Sequence, residues 1–340
     1  MPPDLLILGQ ATIDHVVPAR PGPWRPQMGG NALYAAAGAR LWLDRSRIGV
    51  VTRRGRGYPF ALEGTLARAG IAAHSVTEVE VDHLVEWLLY EDDGARRALP
   101  RNPELRGAGG EGVPAASAYL ARLEALSPAF EDVPDAWRRP AAVYLAPQVE
   151  GRHRASVRAF AAAGAAISVD PSPHYSRKYE PAALGRLLAG ARACLPSEQE
   201  ARSWLERSAG DAGAVARELR AAGFAEVVVK LGARGAVVAA KDTLALVPAA
   251  ASRMVDTTGA GDAFGGAYAA CRLLGFAPVE AARRAAATAA LVISTRGAEA
   301  ALTLDPLEIS TLPAVEKLGY LIGQRADDGP PPTAEPGSGA

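Results

Sequence analysis

The chain has 340 residues, with 37 Lys and Arg against 37 Asp and Glu and a formal net charge of +0. That balance excludes a nucleic-acid partner bound mainly by phosphate neutralisation and an electrostatic membrane-surface protein, so an anionic ligand must be held by local groups. Two cysteines without CxxC spacing (Cys194 and Cys271), the lack of a basic-then-apolar leader and of any apolar run near ~20 residues lead to the expectation of a cytoplasmic protein with no disulfide framework or zinc site.

Residues 5–9, LLILG, are an apolar run closed by glycine and read as a buried strand. Residues 11–17 follow without a helix between, and 30–42 are Ala- and Leu-rich with helical spacing. A strand at 47–51, a helix at 60–69 and a strand at 71–76 come next. Residues 83–90 and 95–99 read as a hairpin turning at Asp93–Gly94. The strands at 11–17 and 83–99 fall outside the strand–helix rhythm, and are either a flap that excludes water from a site or an ordinary edge hairpin. The Gly- and Pro-rich stretch 101–114 reads as a surface loop. The rhythm then resumes with strand and helix at 142–146 and 152–163, at 166–169 and 181–189, and at 192–195 and 197–208, before a helix at 212–222 and the VVV run at 227–229. Continuous apolar strands alternating with helices imply an α/β fold, a largely parallel sheet covered on both faces. Residues 324–340 are polar and rich in Pro and Gly, and are expected to be a disordered tail after one domain of 1–323.

The chemistry concentrates in Asp256–Thr257–Thr258–Gly259–Ala260–Gly261–Asp262–Ala263–Phe264–Gly265–Gly266, which strand-like Val255 leads into and a small-residue helix leads out of. Gly259 and Gly261 let backbone N–H groups converge at a helix N-terminus, a place suited to a phosphate. Asp262 then falls in the first turn. A carboxylate beside a phosphate cradle repels the ligand, but it serves if it accepts the proton of an attacking hydroxyl. Simple first-turn capping is the other reading.

This string, DTTGAGDAFGGAY, resembles the C-terminal signature of the PfkB/ribokinase family of sugar and nucleoside kinases, and the similarity runs over about 4–323. Gly29–Gly30 resembles the family's N-terminal diglycine, and Asp14 stands at its acceptor-binding Asp. Lys230–Leu231–Gly232–Ala233–Arg234–Gly235 resembles its nucleotide-side turn, and Thr295–Arg296–Gly297–Ala298 the stretch closing its adenine pocket. The resemblance implies a ribokinase-like three-layer α/β/α sandwich with a β-strand lid. It also implies ATP- and Mg²⁺-dependent phosphorylation of a sugar-like hydroxyl, with a nucleoside or cyclitol as the alternative acceptor. A non-catalytic binding protein on the same fold is the reading from another class.

By position, Asp262 is then the base and the amides of Gly259, Ala260 and Gly261 the anion hole. Lys230, Gly232, Gly235, Thr257 and Gly297 fall on the nucleotide side. Asp14, Gly29, Gly30, Tyr34 and Gln148 fall on the acceptor side; a bland reading exists for each, such as a core-packed Tyr34. Asp256 and Thr258 match residues that hold a monovalent cation such as K⁺ in some relatives, or else serve turn chemistry. The family's Asn-x-x-Glu appears as Ser197–Glu198–Gln199–Glu200, so Glu200 can reach Mg²⁺ through water or close a capping box. Ser172 likewise replaces a family Asn. Arg96, Arg97 and Arg101 are a charge run that a substrate phosphate could meet. Lid strands with free edges can pair between subunits, which makes a homodimer an expectation.

Overall fold

The structure is a computed structural model and describes residues 2–17, 25–90, 96–97 and 116–311. The Asp93–Gly94 turn, Arg101, the loop at 101–114 and the tail at 324–340 lie outside the described residues.

Along the chain, β1 (Leu5–Leu8) is followed by β2 (Thr12–Val17), β3 (Gln27–Gly29), α1 (Asn31–Arg40), β4 (Ile48–Arg56), α2 (Leu62–Arg68), β5 (Ala72–Asp82), β6 (Val85–Tyr90) and β7 (Arg96–Arg97). Helix α3 (Ala116–Leu126) leads to β8 (Ala142–Leu145), α4 (Glu150–Ala162), β9 (Ala166–Val169), α5 (Pro173–Ser176), α6 (Pro181–Leu187), β10 (Ala193–Cys194), α7 (Arg202–Arg207) and α8 (Ala212–Ala221). The last elements are β11 (Glu226–Lys230), β12 (Ala236–Ala240), β13 (Thr243–Val247), α9 (Ala260–Leu273), α10 (Pro278–Val292) and α11 (Gly297–Ala301).

Nine strands form the main sheet in the order β13-β12-β11-β10-β9-β8-β1-β4-β5. Pairings from β5 through to β11 are parallel, and the β12 and β13 pairings are antiparallel. Alternation along β1 shows why both faces are covered. Leu5 and Ile7 enter the cluster that holds Leu33 of α1 and Ala263 of α9, whereas Leu6 and Leu8 enter the one that holds Phe160 of α4 and Val215 of α8. All four side chains are fully buried, so β1 is hydrophobic throughout instead of alternating.

The main sheet is thus larger than the sequence suggests. The β12–β13 hairpin closes over Lys241–Asp242, where Lys241 has a positive φ of 46°, as a tight two-residue turn demands. The helix expected over 197–208 begins only at Arg202, because Ser197 and Glu200 bond each other around a turn. Val255 lies outside any strand and is exposed.

The second sheet has the order β3-β2-β6-β7, antiparallel at both outer pairings and parallel between β2 and β6. These are the strands that broke the rhythm, joined by β3, which is too short to announce itself. Among the described residues no helix is long and apolar enough to cross a membrane.

Candidate active site

From β1 the chain proceeds to β4 and β5 on one side of the sheet, and β8 to β11 build the other side. Beyond the C-terminal ends of β1 and β8 this reversal opens a crevice, the usual ligand position in an open α/β sheet. Gly9–Ala11 and Ala146–Gln148 are its lips. Asn31, the first residue of α1, ties them together. Its Nδ2 donates to Oε1 of Gln10 (2.6 Å) and to the Pro147 carbonyl (2.9 Å), while its Oδ1 accepts from the Gln10 amide (2.7 Å).

Gly30 has φ +112°, and a Cβ there would fall 2.3 Å from the Gln10 carbonyl, so no side chain fits. The Asp14 carboxylate lies over the backbone of Gly29 and accepts a hydrogen bond from the Thr12 hydroxyl at 2.5 Å. Gln148 is fully buried, and its Nε2 donates to the Leu8 carbonyl (3.2 Å). Its Oε1 has no partner among the described residues. Asp14, Gly29, Gly30 and Gln148 therefore gather around the N-terminus of α1. Tyr34 is buried, and its ring is pressed on Gly259. Ser172 caps the short α5, its hydroxyl accepting from the His174 amide at 3.3 Å.

The glycine turn is anchored where the amides of Val255 and Asp256 both donate to the Ile293 carbonyl, at 2.8 and 3.0 Å. Oδ1 of Asp256 accepts from the Thr258 amide (2.9 Å), which is the expected turn chemistry, but its buried Oδ2 has no partner among the described residues. Gly259 then takes the left-handed conformation (φ +74°) as the N-cap of α9 and contributes no capping side chain. The amide of Ala260 turns back to the Thr257 carbonyl at 3.3 Å, a long bond. Downstream glycines serve packing. A Cβ on Gly266 would fall 2.0 Å from the Ala35 carbonyl of α1, and one on Gly265 2.2 Å from the Tyr144 hydroxyl.

Asp262 stands in the first turn of α9, partly accessible from outside while protein atoms surround its carboxyl. Burial and the nearby Asp170 carboxylate push it up to about 7, against the opposing pull of Lys230. Lys230, at the end of β11, is itself buried; its Nζ donates to Oδ2 of Asp170 and approaches the Gly261 carbonyl at 3.4 Å. Burial works against its charge, yet the carboxylates of Asp170, Glu200 and Asp262 hold its proton affinity above the ordinary range. Asp170, just past β9, also accepts from the Tyr144 hydroxyl at 3.1 Å. Sequence reasoning passed over Asp170 as a site residue, although its place at a strand's C-terminal end was the available signal. Glu200 is buried and pushed up to about 7 by burial and Asp170. One of its oxygens accepts from the Ser197 amide (2.7 Å) and hydroxyl, so the capping-box geometry is present.

A cleft of about 1620 Å³ opens on the other side of the glycine turn, lined by Lys230, Gly232, Gly235, Thr257, Ala260 and Gly261 among others. Gly297 is not on its wall. It takes φ +78° at the start of α11 and faces the side chain of Gln27 in β3, 2.9 Å from where a Cβ would sit. Its positive φ and missing Cβ let the start of α11 approach the second sheet.

Residues 142–304 match the family model described as pfkB family carbohydrate kinase. This part of the chain belongs to the pfkB family. Asp170, Glu200, Lys230 and the glycine turn all lie within the pfkB segment, whereas Asp14, Gly29, Gly30 and Tyr34 precede it. The 1-phosphofructokinase of Haloferax volcanii is 35% identical over 117 residues, 34% of this chain and 38% of that protein. The 2-dehydro-3-deoxygluconokinase of Escherichia coli is 46% identical over 81 residues, 23% of this chain and 26% of that protein. The chain thus aligns with well under half the length of these relatives. A nucleoside kinase of Burkholderia thailandensis, solved in complex with ADP-inosine, superposes over 93% of this chain and 96% of its own at 18% identity and a TM-score of 0.68. The pfkB segment and the N-terminal part together therefore adopt the ribokinase-like α/β fold.

Proposed function

We propose that the protein is an ATP-dependent kinase that transfers the γ-phosphoryl group to a hydroxyl of a sugar or sugar-like small molecule, with residues 1–323 as the kinase unit and the second sheet as its lid. The observation that carries this reading is the glycine-capped N-terminus of α9. Its first-turn amides meet no side-chain cap, Asp262 sits among them, and a cleft large enough for a nucleotide adjoins them on one side. A hydroxyl held by Asp14, the Gly29–Gly30 backbone and Gln148 on the other side would be aimed at the γ-phosphorus. As its oxygen forms the new P–O bond, Asp262 takes the proton and the bond to ADP breaks. A carboxylate whose proton affinity is centred near neutrality suits that role.

Lys230, Gly232, Gly235 and Thr257 border the nucleotide side in this reading. Mg²⁺, when bound, would neutralise charge across the phosphates. Glu200 would face it through water; an ion that keeps most of its own waters and arrives on the nucleotide requires no all-protein cage. Oδ2 of Asp256, which has no partner among the described residues, lies beside Thr258 and fits a monovalent cation such as K⁺.

The test is ADP release from Mg-ATP with a panel of sugars, sugar phosphates, sugar acids, nucleosides and cyclitols. Acceptor-dependent ADP is expected. Asp262→Asn should retain Mg-ADP binding and lose ~10²–10⁴ in turnover, the usual contribution of a positioned base. Near-normal turnover in that variant would refute the role of Asp262. Silence of the wild type across the panel would point to a binding protein on a kinase fold.

A further inference from the structure

We infer that Lys230 and Asp170 act together as positioning residues for Asp262, fixing the first turn of α9 and the balance of charge around it. The inference rests on the kinase reading above, and three observations carry it.

The Lys230 ammonium joins three elements at once. It bonds Asp170 at the end of β9, belongs to the end of β11, and approaches the Gly261 carbonyl, one peptide before Asp262, at 3.4 Å. The pair is also buried, with Lys230 8% and Asp170 1% exposed, so neither charge serves solubility. Two buried charges carry a desolvation cost that an apolar pair of similar size would avoid. Finally, Oδ1 of Asp170 has no partner among the described residues, while Oδ2 carries both Lys230 and the Tyr144 hydroxyl. A carboxylate kept only as scaffold has both oxygens satisfied as a rule.

The groups that act on Asp262 are Asp170 from the end of β9 and Lys230 from β11; Asp262 in turn raises the Tyr144 phenol from β8, and Glu200 feels the same pair. Asp170 and Lys230 pull in opposite directions, since a neighbouring negative charge disfavours an ionised Asp262 and a positive one favours it. The two partners therefore leave opposite signatures, which a merely structural role would not.

The experiment is a carboxyl ¹³C NMR titration of the full chain labelled at aspartate, with the Asp262 signal assigned by its loss in Asp262→Asn. Asp170→Asn should lower the Asp262 midpoint by about one pH unit and Lys230→Met should raise it by about one, each a tenfold change in proton binding. Unmoved midpoints, or shifts of the same sign, overturn the inference. Each single variant strands one partner of the pair, so the double variant Asp170→Asn/Lys230→Met, which removes both together, is measured alongside. In it, amide exchange at Ala263, whose N–H bonds the Gly259 carbonyl at 2.8 Å, should quicken at least tenfold while β1 keeps its protection. Unchanged exchange at Ala263 overturns the inference even where a single variant fails to fold. The titration needs no acceptor, so its outcome is separable from that of the kinase reading. An inactive Asp262→Asn with unmoved midpoints sinks the pair alone. A fully active Asp262→Asn with opposite shifts sinks the catalytic meaning and leaves only the charge coupling.

Discussion

Replacing Gly259 by Ala tests the contact on which the glycine turn rests. At φ +74° an Ala carries the left-handed penalty of ~1–2 kcal/mol. Its Cβ would also fall 2.0, 2.3 and 2.3 Å from three ring atoms of Tyr34. That ring cannot swing aside cheaply, because α1 and α9 are in backbone contact: a Cβ on Gly38 would lie 2.1 Å from the Ala263 carbonyl, and one on Gly266 2.0 Å from the Ala35 carbonyl. Overpacking of this kind costs ~1–3 kcal/mol, for a total of ~2–5 kcal/mol, a large share of a domain's net stability. Gly164→Ala is the control. Gly164 has φ +82° with nothing within 4 Å of its Cβ position, so it reports the backbone penalty alone. Urea unfolding of both variants should place Gly259→Ala ~1–3 kcal/mol below Gly164→Ala. In the double variant with Tyr34→Ala the two losses should be less than additive by ~1 kcal/mol or more. Equal losses in Gly259→Ala and Gly164→Ala would refute the claim that the ring is pressed on the turn.

Gly266→Ala should separate α1 from α9 and lower the urea midpoint without touching any ligand group, with a loss of ~1–3 kcal/mol; a neutral effect would contradict the close approach. His153 is fully buried between the Tyr175 hydroxyl (2.6 Å) and the Ala146 carbonyl (2.8 Å), and burial holds it down to about 4. Unfolded chains bind that proton near pH 6.5, so stability from neutral His153 is complete above 6.5 and drains away as pH falls toward 4. Relative to His153→Gln, the wild type should lose about 3 kcal/mol over that interval in urea titrations. Asp262 behaves in the opposite sense. Its folded affinity near 7 exceeds that of an unfolded carboxylate near 4, so its contribution is present below about 4 and is lost as pH rises through 7. The stability of Asp262→Asn relative to wild type should therefore rise between pH 5 and 8; a flat difference would contradict the raised affinity. Glu226 is a buried carboxylate shared by Arg192, Arg272 and the Tyr268 hydroxyl, and Glu226→Gln should cost ~3 kcal/mol by stranding the Arg272 guanidinium.

The strand–helix rhythm was readable because the parallel strands are apolar on both faces, as β1 and β8 show, and because the helices between them carry regular apolar spacing. The glycine turn was readable because its chemistry is local: Gly259, Gly261 and Asp262 are near neighbours in the chain. What sequence could not show are relations set by distance. Lys230 and Asp170 are 60 residues apart, and nothing along the chain says that one buried charge answers the other. The closeness of α1 and α9, which turns the Tyr34 ring onto Gly259, is another such relation. The approach of Gly297 to Gln27, 270 residues away in the chain, is likewise not written in the local sequence. Ser197 and Glu200 carry a helix-start signature and do form its hydrogen bonds, but around a turn that precedes the helix, since the signature specifies donors and acceptors and leaves open whether a helix begins at once or a few residues later.

The pairing of β1 with both β4 and β8 has a consequence for biosynthesis. Leu5 lies beside Ile48 on one side and Ala142 on the other. As the chain emerges from the ribosome, β1 can pair with β4 early, but its second edge, four apolar residues long, waits until β8 has been made. Through that interval the nascent protein presents the centre of its future sheet as an open edge, and the crevice has only one lip. The 2.9 Å bond from Asn31 to Pro147 closes the gap when β8 arrives. The masking of an exposed apolar edge and the closing of the crevice are thus completed by the same event.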